Sequence, residues 1–136
     1  MKMNSAGARS LDLPMNSLSV LVVDDSQTMR SIVAEQLGKL GFTDIDMAVD
    51  GRGALDRLRE RPYALLISDW EMQPMGGEQL LKAVRQDPKY IKLPVIMMTA
   101  TGTRGASWLA GANAFLAKPF TEADLQKAIK TVFGSR

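Results

Sequence analysis

The stretch Ala64-Leu65-Leu66-Ile67-Ser68-Asp69 constrains this chain more than any other, because it is an apolar run that ends on an acid. A run without polar alternation reads as a strand covered on both faces, the environment inside a parallel sheet flanked by helices. Asp69 therefore closes a strand at its carboxyl end, where the loops of open α/β sheets diverge and form the ligand crevice. The functional question is which other strand ends deliver groups beside it.

Other stretches read as strands too. Ser19-Val20-Leu21-Val22-Val23 runs into Asp24 and Asp25, and Asp44-Ile45-Asp46-Met47-Ala48 alternates in the manner of an edge strand. Pro94-Val95-Ile96-Met97-Met98 runs into Thr99, and Ala114-Phe115-Leu116-Ala117 into Lys118-Pro119. Apolar residues recur between them at helical spacing: Met29, Ile32, Val33, Leu37 and Leu40 after a capping Ser26, then Ala54, Leu55 and Leu58 after Asp50-Gly51. Leu80, Leu81 and Val84 follow the Asp69 strand, and Leu125, Ala128, Ile129, Val132 and Phe133 follow a capping box of Thr121 and Asp124. Strands alternating with helices predict a (βα)5 parallel sheet with right-handed crossovers, hence a three-layer α/β domain. The 136 residues fit one such domain at residues 17–136, and residues 1–16, which mix Gly, Ser, Asn and Pro without periodicity, are expected to be a flexible tail.

Composition narrows the chemistry. The absence of Cys removes thiolate chemistry and disulfides, and the absence of His removes the commonest metal ligand and general base. Any metal site must be built from oxygen. No stretch approaches the ~18 consecutive apolar residues of a membrane span, and no signal-peptide core is visible, so a cytoplasmic protein without membrane contact is expected. The formal charge is only +2, and Arg57-Leu58-Arg59-Glu60-Arg61 reads as a solvated helix face, so no nucleic-acid partner is expected. Met72, Met75, Met97 and Met98 read as core filler.

Collected, the strand ends present Asp24, Asp25, Asp69, Thr99 and Lys118. Carboxylates held together repel unless a cation joins them, and among oxygen-loving ions Mg²⁺ is the natural candidate. A carboxylate, a hydroxyl, an ammonium and Mg²⁺ together suit a phosphoryl group, so phosphoryl transfer to Asp69 is the expected chemistry.

Val22-Val23-Asp24-Asp25-Ser26, Ile67-Ser68-Asp69-Trp70, Met98-Thr99-Ala100 and Lys118-Pro119-Phe120, taken in this order, resemble the receiver domain of bacterial two-component response regulators, and within it the stand-alone chemotaxis receivers. The resemblance covers about residues 18–133. It implies a flavodoxin-like fold with strand order 2-1-3-4-5, Asp69 as phosphoacceptor, and a Mg²⁺ ion held by Asp25, by Asp69, by Asp24 through water and by the backbone carbonyl of Glu71. It makes Thr99 and Lys118 contacts of the phosphoryl oxygens, Thr99 and Phe115 the switch pair, and the Lys118-Pro119 bond cis. The partners it implies are a histidine kinase as phosphodonor and an output protein such as the flagellar motor switch, met by a monomer that catalyses only its own phosphorylation and slow dephosphorylation. Three departures stand out. Met72-Gln73-Pro74-Met75-Gly76-Gly77 replaces the usual Met-Pro-x-Met-Asp-Gly, Phe115 stands where chemotaxis members usually carry Tyr, and the stretch from Thr99 to Lys118 is about three residues short, close to one helical turn. A shortened fourth helix follows.

Other readings compete. A phosphorelay shuttle or another stand-alone receiver would share every motif residue. An aspartyl-phosphate phosphatase of the haloacid dehalogenase type would need Asp44-Ile45-Asp46 as its motif, a poor match, and a cap domain for which there is no room. A flavin carrier would place a phosphate loop after the first strand, where Asp24 and Asp25 would repel a flavin phosphate.

Overall fold

The structure is a computed structural model that describes residues 15–100 and 111–133. The strands β1 (Ser19–Val23), β2 (Asp44–Ala48), β3 (Leu65–Asp69), β4 (Val95–Thr99) and β5 (Ala114–Ala117) form one parallel sheet in the order β2-β1-β3-β4-β5. The helices α1 (Gln27–Lys39), α2 (Gly51–Glu60), α3 (Gly77–Gln86) and α4 (Glu122–Phe133) cover it. The helix expected between β4 and β5 and its shortening fall on residues 101–110, outside the described residues, as do residues 1–14. Met15 and Asn16, assigned from sequence to the tail, belong to a 3-10 turn, Met15–Ser17, whose Asn16 carbonyl accepts a hydrogen bond from Thr43 Oγ1 at 3.2 Å.

Strand residues alternate between two cores. Val20, Val22, Ile67 and Ile96 pack against Val33 and Leu37 of α1 and Leu125 and Ile129 of α4, whereas Leu21, Val23, Leu66 and Met97 pack against Leu58 of α2 and Leu80, Leu81 and Val84 of α3. Each such side chain contributes about 1.5–3 kcal/mol when fully buried. Ile32 departs from the expected stripe and is 39% exposed. It sits about 100° round the helix from Val33, and the face that packs is Met29, Val33, Leu37 and Leu40.

The helices start where the caps predict. Ser26 Oγ accepts from the Met29 N–H at 3.2 Å and Asp50 Oδ1 from the Gly53 N–H at 2.9 Å. Thr121 and Asp124 exchange backbone-to-side-chain bonds of 2.9 and 3.1 Å, completing the capping box that the sequence suggested.

Candidate functional site

Strand register brings the sequence-predicted residues to one place. Val23 pairs with Ser68, Asp69 with Met98, and Thr99 with Ala117, so Asp24, Asp69, Thr99 and Lys118 leave neighbouring strands at one level. Asp24, Asp69 and Thr99 are buried, while Asp25 is exposed at the rim. Carboxylate oxygens of Asp24, Asp25 and Asp69 all lie within 4.8 Å of one another. Lys118 Nζ stands between the two buried acids, 3.2 Å from Asp24 Oδ2 and 3.0 Å from Asp69 Oδ1.

The electrostatics are incompletely balanced. Burial raises the Asp69 pKa above the usual carboxylate range, Lys118 pulls it back, and Asp24 and Glu71 push it up again. Lys118 shows the converse: burial works against its charge, but contact with Asp69 and Asp24 prevails and raises its pKa. One ammonium therefore serves two buried carboxylates. Asp69 Oδ1 is buried and has no aligned hydrogen-bond donor, although the ammonium is near it. A buried oxygen left in this way is costly unless another cation approaches it.

The residues fit a metal ion on this ground. Three carboxylates without His or Cys make a hard, oxygen-only donor set suited to Mg²⁺. Glu71, whose carbonyl the resemblance adds, follows Asp69 on a loop that lines a cleft of about 450 Å³ together with Asp25 and Trp70. Main-chain bonds fix this loop, Trp70 N–H to the Met98 carbonyl at 2.9 Å and Gly77 N–H to the Trp70 carbonyl at 3.0 Å. A side chain on Gly77 would collide with the Asp69 carbonyl, so glycine lets α3 start directly against the end of β3. Gly51 plays a similar part from α2: its N–H donates to the Met75 carbonyl at 2.9 Å, and a Cβ there would come within 2.7 Å of Met75 Cγ.

The remaining predicted residues are also placed. The Lys118-Pro119 bond is cis, and so is Gln73-Pro74 in the loop that departs from the family pattern. Lys118 N–H donates to the Thr99 carbonyl at 2.9 Å. Phe115 is half-buried against the α2/α3 core and lines a second cleft, also about 450 Å³, with Ala117, Phe120 and Lys127. Asp44 and Asp46 lie away from the site, both bound to Arg61.

Arg30 belongs to the Thr28-Met29-Arg30 run that resembles chemotaxis members, but that match gives it no role in the site. Its Nη1 donates to the main-chain carbonyl of Asp24 at 2.7 Å. The available signal is a cation at the end of the first turn of α1, where no acid is present and the helix dipole disfavours positive charge by about 0.3–1 kcal/mol. Ser26, expected only to cap, also donates its N–H to Asp24 Oδ1 at 2.9 Å.

Residues 20–130 match the response regulator receiver domain. The chain is 40% identical over 119 residues to a chemotaxis protein CheY of Pseudomonas aeruginosa, covering 85% of this chain and 96% of that one. It is 41% identical over 121 residues to a probable chemotaxis protein CheY of Rhizobium etli, covering 87% and 94% of the two chains. Among solved structures, chemotaxis response regulator CheY4 of Vibrio cholerae superposes with a TM-score of 0.77 at 34% identity, covering 85% of this chain and 98% of that one. The receiver domain of a sensor histidine kinase from Pseudomonas aeruginosa, which holds a magnesium ion in its active-site cleft, superposes with a TM-score of 0.79 at 26% identity over 87% and 98%.

Proposed function

This chain belongs to the response regulator receiver family, and from that premise we propose that it accepts a phosphoryl group on Asp69 and thereby switches its binding to another protein. The observation that carries the reading is the convergence of Asp24, Asp25 and Asp69 on one point with Lys118 Nζ between the two buried members. A carboxylate oxygen of Asp69 attacks the phosphorus of a phosphohistidine on a separate kinase; the P–N bond breaks and its electron pair leaves with the imidazole. Lys118 and the Thr99 hydroxyl face the transferring oxygens, and their charge and dipole offset what accumulates there. Asp25 and Asp69 directly, Asp24 through water and the Glu71 carbonyl would hold Mg²⁺, which would supply electrostatic stabilisation of the phosphoryl oxygens. The protein turns over nothing beyond its own phosphorylation and slow dephosphorylation.

The names of the relatives support chemotaxis as the pathway, and the flagellar motor switch is the output that the family resemblance implies for it. Phe115 favours a second reading, a stand-alone receiver or phosphorelay shuttle with another partner, because it fills space as Tyr does but has no hydroxyl to offer. Incubation with acetyl phosphate and Mg²⁺ tests the central claim. Wild type should gain one phosphoryl mass with Mg²⁺ and none when chelator is present from the start, and Asp69→Asn should gain none while remaining folded. Label retained on the folded Asn protein would overturn the assignment.

A further inference from the structure

Asp24 is held from three sides. Its Oδ1 accepts from the Ser26 N–H at 2.9 Å, its Oδ2 faces Lys118 Nζ at 3.2 Å, and its main-chain carbonyl accepts from Arg30 Nη1 at 2.7 Å. The third contact differs in kind, because it fixes the peptide joining Asp24 to Asp25 instead of a carboxylate. Asp25 is exposed and makes no hydrogen bond or ion pair with the described residues, so the backbone alone sets the direction in which its carboxylate leaves the chain.

We propose that Arg30 is a positioning residue for the metal site: by holding the plane of the Asp24-Asp25 peptide, its guanidinium aims the Asp25 carboxylate at the ion. The inference rests on the Mg²⁺ reading given above. Two electrostatic effects oppose a cation at this position, the dipole of α1 and competition with a metal ion for the three acids. The hydrogen bond to the Asp24 carbonyl is the compensating contact, and outer groups that orient ligands in this way typically affect affinity strongly.

The opposition between charge and position gives the experiment its sign. Mg²⁺ binding is measured by calorimetry and by Trp70 fluorescence for wild type, Arg30→Met and Arg30→Lys, alongside thermal unfolding of each without metal. If Arg30 positions Asp25, Arg30→Met weakens Mg²⁺ binding by about tenfold, and Arg30→Lys, which keeps an N–H donor on a long stem, recovers most of the loss. Unchanged or tighter binding by folded Arg30→Met overturns the proposal, tighter binding being what removal of a competing charge alone would produce. A wild-type protein that does not bind Mg²⁺ overturns the metal reading itself and this inference with it. If Arg30→Met does not fold, Arg30→Gln is judged by the same criterion.

Discussion

The two ends of the sheet use the same kinds of side chain and arrive at opposite electrostatic outcomes. At the amino end, Arg61 grips Asp44 with two bonds of 3.1 and 2.7 Å and Asp46 with a third of 3.1 Å, and the Tyr63 hydroxyl donates to Asp46. The arginine lowers the Asp44 pKa, and Tyr63, raised by burial and by Asp46, is pushed up to about 12. Asp44, Asp46 and Arg61 are paired with one another there and are exposed enough for water to screen them. At the carboxyl end, two acids are buried beside a third, with one ammonium in contact. On the proposed function, this arrangement, unbalanced by itself, would be completed from outside by a divalent cation and a phosphoryl group. The comparison separates charges that hold the fold together from charges that wait for a ligand.

Removing Lys118 gives the largest expected effect on stability. Lys118→Met leaves Asp24 and Asp69 buried without their cation, and breaking a buried pair from one side typically costs roughly 3–5 kcal/mol. Urea unfolding without metal should show a loss near the lower figure, since the lysine is 26% exposed, and phosphorylation by acetyl phosphate should be impaired. A loss below about 1 kcal/mol, the size of a surface pair, would erase the contrast between the two ends.

How much of this was legible beforehand differs in the same way. Asp69, Thr99 and Lys118 could be read from sequence because each stands at the carboxyl end of a strand, and a parallel register lines such ends up automatically. The order of the strands came from resemblance to a family, since periodicity does not say which strands are neighbours. Contacts between a side chain and the main chain were not legible. Arg30 bonds the Asp24 carbonyl, and Arg85 bonds the carbonyls of Gly111 and Tyr90 at 3.0 and 3.1 Å. No residue pattern marks a carbonyl as a target, because every residue has one; only the folded path brings it within reach. Ile32 was misplaced for a simpler reason: one residue along a helix is a large rotation, and its apolar character did not say which side of the stripe it lay on.

Acid titration should sharpen the contrast, because the two ends predict slopes of opposite sign. Asp69 has a folded pKa above its unfolded value, so its ionised form destabilises the metal-free protein. Stability should therefore rise as pH falls from neutrality through that raised pKa, and then level off. Asp44 has a depressed pKa; its contribution is present above the unfolded value of about 3.9 and is lost as pH falls through the folded one. A rise followed by a fall is expected in Tm without metal. Asp69→Asn should abolish the rise, whereas Asp44→Asn should reduce the later fall. A metal-free protein whose stability only decreases on acidification would show that Asp69 is not the strained member of its cluster.

Arg61 should give the smallest effect. Replacing it by Ala unpairs Asp44 and Asp46, but both acids are partly exposed and can be hydrated, and Tyr63 still donates to Asp46. The cation over the Tyr63 ring, 5.0 Å from its centre, is also lost. At physiological salt the fall in Tm should not exceed about 2 °C, and it should be larger at low ionic strength, where the Debye length lengthens from about 8 Å. Mg²⁺ affinity and phosphorylation should not change, because the contacts of Arg61 with Asp44, Asp46 and Tyr63 lie at the amino end of the sheet, away from the three acids. If Arg61→Ala instead weakens Mg²⁺ binding, the amino end helps to set the geometry of the site through the strands, and the division between holding charges and waiting charges fails.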